Sequence, residues 1–108
     1  MANIINATPH DVNIIGEDGQ VVRTYAASGI CPRCSVSREA VDEIDGIRIN
    51  RTVFGDVVGL PEYVEGTYYI VSVIVANAAK DRKDLLITDD AVRDDKGRVI
   101  GCRALAVV

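Results

Sequence analysis

No run of apolar residues in this 108-residue chain approaches the ~20 that a membrane-spanning helix needs. The opening stretch, MANIINATPH, has no charged segment followed by an apolar one, so no signal peptide is read there. The setting these features imply is the cytoplasm of the producing cell, where thiols stay reduced. Basic charge is also short. Twelve Lys and Arg stand against sixteen Asp and Glu, for a net charge of −4, which argues against wrapping a long nucleic-acid backbone. Catalytic signatures are missing too. There is no G-x-S-x-G, no H-E-x-x-H, no P-loop and no G-x-G-x-x-G, and the chain has one histidine, His10. No nucleophile–base pair is legible, so no catalytic residue is assigned and a non-enzymatic role is expected. Asp89-Asp90 and Asp94-Asp95 read as solvated carboxylates in turn-like segments.

Against these absences, three cysteines stand out. Cys31 and Cys34 make a C-x-x-C in GICPRCSVS, and Cys102 lies in VIGCRALAVV. With His10 they would complete a zinc set, since structural zinc is held tetrahedrally by thiolates and imidazoles. A lone C-x-x-C is only half of such a site. Cys102 sits in an apolar strand, where a free thiol behaves as a small buried hydrophobe. The segment after Cys34 reads as strand rather than helix, which removes the helix N-terminus that a redox pair uses to lower a thiol pKa. The expectation is therefore no metal and no cofactor, with a small zinc-stabilised regulator as one alternative.

With 48% hydrophobic and 26% charged residues, the composition is that of an ordinary globular protein, long enough for one domain over residues 1–108. Short β-branched runs separated by turns dominate. VNIIG and VVRTY flank a turn at Asp18-Gly19, and CSVSREAV alternates like a strand. Asp45-Gly46 marks a second hairpin. GLPEYVEG is a loop. TYYIV reads as a buried strand, after which Ser72 caps a short helix through VIVANAAK. DLLIT and the closing hairpin AVRDDKGRVIGCRALAVV, turning at Asp95-Lys96 or Lys96-Gly97, complete an α+β, mainly β chain. The fold expected is a compact antiparallel sheet or barrel-like domain with one short helix. A β-rich chain of this size has sheet edges to cover, so a homo-oligomer, most simply a dimer, is expected.

The strings NATPHDVNI, VRTYAASG, DGIRINRTVFGDVVGLPE, YYIVSVIVANAA and RKDLLITDDAVRDDKGRVIGCRAL resemble a family of small phage- and prophage-encoded proteins with an N-x-T-P-H motif near the start. The resemblance covers nearly the whole chain. Ala7 departs from the leucine common at its position, and members typically lack a cysteine where Cys31 stands. The resemblance implies a phage origin and no particular activity.

Nine of the twelve basic residues are Arg, whose planar fork suits carboxylate and phosphate. The plainest use for most of them is surface ion pairing. Several polar residues of the matching strings nevertheless fall where strands end and loops begin, where binding sites are often built. The candidate ligand-binding set is Thr8, His10, Arg33, Ser35, Ser72, Asn77, Arg82 and Arg93. Donors and arginines without an acid–base pair suit holding a small anionic or nucleotide-like molecule. One class with that chemistry is the phage sponge, which sequesters a nucleotide-derived immune signal. The alternative is an accessory structural or assembly protein of the virion without ligand.

Overall fold

The structure is a computed structural model that describes residues 2–108. Eight strands and one helix follow in the order β1 (Asn3–Asn6), β2 (Val12–Ile15), β3 (Val21–Tyr25), β4 (Arg33–Ile44), β5 (Ile47–Val58), β6 (Thr67–Ile70), α1 (Val73–Ala78), β7 (Leu85–Arg93) and β8 (Val99–Ala106). Six of the strands form one sheet in the order β1-β6-β7-β8-β2-β3, and among the described residues β4 and β5 pair only with each other. The α+β, mainly β class is as expected. The sheet is mixed rather than antiparallel: β1–β6, β6–β7 and β8–β2 are parallel pairs. The helix makes this possible, because it carries the chain from β6 over the sheet to the parallel β7.

Local chemistry explains the turns. Asp45 and Gly46 both hold positive φ, 52° and 79°, the combination a two-residue hairpin turn needs. The other hairpins use one residue more. Gly19 N–H donates to Gly16 O, and Gly97 N–H donates to Asp94 O. Ser72 caps α1 by accepting the Val75 N–H at 3.2 Å.

The sheet curls until its edge strands meet. Asn6 of β1 bridges Ala27, just beyond β3, and its side-chain Nδ2 donates to Tyr25 O at 2.8 Å. Ile70, Val12 and Cys102 are buried among Ile4, Ile14, Tyr25, Leu86 and Leu105. A second cluster gathers Tyr69, Val71 and Leu85 with Ala7 and the α1 residues Val75 and Ala76. Cys34 and Val57, at the base of the β4–β5 hairpin, pack on this second cluster. The barrel-like expectation thus matches the curled sheet, while the rest of the hairpin departs from compact packing and stands exposed.

Asn6 is 2% exposed and uses its whole amide. Nδ2 also donates to His10 O at 2.7 Å, and Oδ1 accepts from Thr8 N–H at 3.0 Å and from the Thr8 hydroxyl at 2.6 Å. A buried group stripped of its partner costs about 1–3 kcal/mol. Asn6→Ala strips several, so it should lower the unfolding free energy by about 3 kcal/mol or more, seen as a reduced urea midpoint at unchanged slope. Thr8→Val removes fewer bonds and should cost less; equal losses would show that the amide is not the clasp.

Candidate functional site

The structure divides the eight candidate residues. Thr8, Arg33 and Ser72 line one depression of about 240 Å³, together with Pro9, Cys31, Cys34 and Ile74. Three elements supply it: the N-x-T-P-H turn, the base of β4 and the start of α1. Pro32, buried beside Arg33, fixes the chain as it enters β4. Arg33 is exposed, and among the described residues its guanidinium makes no hydrogen bond or ion pair. Ser72 Oγ accepts from Val75 N–H, which leaves its hydroxyl proton free to donate. The Thr8 hydroxyl is already engaged, lying 2.6 Å from Asn6 Oδ1 and 2.9 Å from His10 O. Donors for an anion in this depression are therefore Arg33 and Ser72.

The remaining five do different work. Asn77 Nδ2 donates to Val73 O one turn back along α1 at 2.9 Å. Ser35 lies on β4 beside the Cys34/Val36 irregularity of the hairpin, outside the depression. Arg93 donates to Gly97 O at 2.8 Å and holds the β7–β8 turn. Arg82 forms a two-point fork with Asp84: Nε to Oδ1 at 2.9 Å and one terminal nitrogen to Oδ2 at 2.6 Å. That same nitrogen donates to Pro61 O at 2.9 Å. Asp84 is 1% exposed, so Arg82 neutralises a buried carboxylate and ties the 59–66 loop to the sheet. The hydrogen bond to Asp84 pushes the Arg82 pKa further upward. This arginine is structural, and its role was hidden because the burial of Asp84 depends on parallel pairing next to β6.

His10 lines a larger cavity of about 610 Å³. Asp11, Asp89 and Asp90 share its walls with Asn13 and Ile100. Three carboxylates make that space unfavourable for a phosphate, although its volume would suit a drug-sized molecule. Charge outweighs size here, so the smaller depression is the better anion candidate. Asp89 and Asp90 do not sit in a turn. They lie within β7, where Asp90 adopts φ 54°.

The zinc set is split between these two spaces. Cys31 and Cys34 line the smaller, Cys102 and His10 the larger. Among the described residues, no three His, Cys, Asp or Glu side chains come together as a metal site. Cys102 is buried within the curled sheet, as its apolar surroundings suggested. Cys34 Sγ lies 3.2 Å from Gly55 O and 3.3 Å from Ser35 O. Ion pairing is sparser than nine arginines suggest: among the described residues the pairs are Arg82–Asp84 and Arg98–Asp94. Among the described residues, no helix is long and apolar enough to cross a membrane. No family model, curated protein or solved structure matches the chain.

Two outcomes follow from these charges. Arg82→Ala leaves Asp84 buried without its cation and should cost about 3–5 kcal/mol in chemical denaturation, the loss typical of a broken buried pair. In the β7–β8 turn, the Asp94 carboxyl is held below the usual carboxylate range, first by the Arg98 N–H, then by the Lys96 N–H and the Arg98 side chain. A depressed folded pKa stabilises the turn above the free carboxylate's pKa, and that help is lost as pH falls through the folded value. NMR titration should place Asp94 below the usual carboxylate range, and Asp94→Asn should weaken this dependence.

Proposed function

We infer that the protein is a phage-encoded, non-enzymatic binder of a small phosphate-bearing molecule, acting in the cytoplasm of the bacterial host. In this reading it is a sponge that withdraws a nucleotide-derived immune signal without consuming it. The observation that carries it is the meeting of Arg33, a cation with no partner among the described residues, with the Ser72 hydroxyl in one depression. A guanidinium and a hydroxyl donor recognise phosphate oxygens. The same depression brings no carboxylate or histidine next to a nucleophile, which fits holding rather than turnover. The phage origin and the sponge class rest on the resemblance of the N-x-T-P-H and hairpin strings.

A second reading, an accessory structural or assembly protein, is favoured by a separate feature. The β4–β5 hairpin exposes Val36, Val41, Ile44, Ile47, Val53 and Phe54, apolar surface that suits subunit contact.

Calorimetry with cyclic dinucleotides, cyclic oligonucleotides and ADP-ribose derivatives separates the readings. One member of the panel should bind and be recovered intact after denaturation. Arg33→Ala should then weaken binding by about 2–5 kcal/mol if the site is desolvated on binding, with the melting temperature unchanged. Arg48→Ala, on the exposed hairpin, should change little. Recovery of a cleaved product would make the protein an enzyme. No binding across the panel, with Arg33→Ala fully active in infected cells, would leave the assembly reading.

A further inference from the structure

The radius of gyration, 16.6 Å, is well above the roughly 13 Å of a compact domain of this length. The accessible surface, 7678 Å², likewise exceeds the about 5,800 Å² typical of a folded monomer of this mass. The excess, roughly 1,800 Å², has one evident source. β4 and β5 are twelve residues each, about 40 Å long, and among the described residues pair only with each other. A two-stranded ribbon standing in water is marginal by itself, and three strands or a packed face are needed to hold it.

The register shows where such a face lies. Cys34 pairs with Val57, and Val36 pairs with Phe54. The register slips between these pairs, but the extra residue is on β5, so β4 keeps its alternation and Cys34 and Val36 face the same side. Cys34 and Val57 are packed on the core, whereas Val36 and Phe54 are 46% and 39% exposed. The core's apolar surface therefore continues one pair out along the ribbon, to Val36 and Phe54. Ile74 of α1 shares the depression at Cys34 and is 47% exposed, so it extends the same band. At the far end, Ile44 pairs with Ile47, exposed beside the Asp45-Gly46 turn but on the opposite face from Phe54, so they are not part of this band.

We propose that the β4–β5 hairpin is an arm that clasps a second copy of this chain, with Val36, Phe54 and Ile74 at the centre of the contact. The occupant follows from area. A stable pair needs about 800 Å² from each partner, and the surplus surface of one chain exceeds that. It follows also from symmetry. Two copies related by a two-fold axis present the same exposed band to each other, so one patch satisfies both. Ionised side chains on this face begin one pair beyond Val36 and Phe54. On the Cys34–Val36 face the next pair outward is Arg38 with Thr52, and both can remain at a polar rim.

Analytical ultracentrifugation and small-angle scattering on the full chain test this. The wild type should sediment as a dimer, or as an assembly of dimers, at micromolar concentration. Phe54→Asp and Val36→Asp should each raise the dissociation constant at least 100-fold. Because Val36 and Phe54 are outside the core, circular dichroism and the melting of the body should survive in the resulting monomer, whose radius of gyration should lie near 16.6 Å. Hydrogen exchange guards against a variant that misfolds. In the wild type, amides of β4 and β5 should lose protection on dilution while those of β6–β8 keep it. A wild type that stays monomeric at 100 times these concentrations overturns the proposal. So does a compact monomer near 13 Å, which would mean that the arm folds onto its own body. A dimer unaffected by both substitutions, or pairing only with a different protein, overturns it equally.

Discussion

One side-chain amide closes the sheet on which everything else is mounted. Asn6 donates to the carbonyls of His10 and Tyr25 and accepts from Thr8, while its own carbonyl accepts from the Ser28 N–H and hydroxyl. These bonds hold β1 against the end of β3 and fix the N-x-T-P-H turn between them. A carboxylate of the same shape could accept but not donate, so Asp would leave two carbonyls unserved. The motif thus serves architecture before it serves binding: Thr8 is spent on Asn6, and the turn presents Pro9 as a wall of the depression beside Arg33.

Charge is arranged with a similar division. The buried fork of Arg82 and Asp84 locks the 59–66 loop, and the exposed pair of Arg98 and Asp94 trims a hairpin turn. Carboxylates crowd the larger cavity at His10, while the smaller depression holds Arg33 and no acid. An overall negative protein can therefore still offer a local cationic spot, at the place where the arm leaves the body.

Local features were legible from the residues alone. The Asp45-Gly46 turn, the Ser72 cap and the strand alternation after Cys34 all rest on short-range rules, and each stands where those rules put it. What escaped reading depends on distant pairing. β1 is four residues with no alternation, and it exists because β6 lies beside it. Asp89 and Asp90 look like turn residues but are held in β7 by β8. Of the candidate site, Thr8, Arg33 and Ser72 do converge. The pairing of Arg82 with Asp84, two residues away, is not legible locally because Asp84 is buried only once β6 and β7 are joined. The projection of the hairpin was invisible for the opposite reason, since alternation suggests a covered face and β4 has few neighbours to cover it.

The position of β8 sets the order in which the chain can be completed. It follows the other seven described strands along the chain, yet it stands in the middle of the sheet and joins the β2–β3 hairpin to β7. The β2–β8 seam is thin: Ile14 opposite Cys102, with Arg103 reaching Gly16 O at 2.8 Å. Gly101 lets the strands approach, because a Cβ there would fall 2.6 Å from Asn13 O. While the ribosome still holds residues 99–106 in its exit tunnel, the two halves of the sheet lack the strand that unites them. The curled sheet can therefore close only after synthesis has passed β8. Without β8 the chain would be left as two strand sets with an open gap between them, exposed to proteolysis.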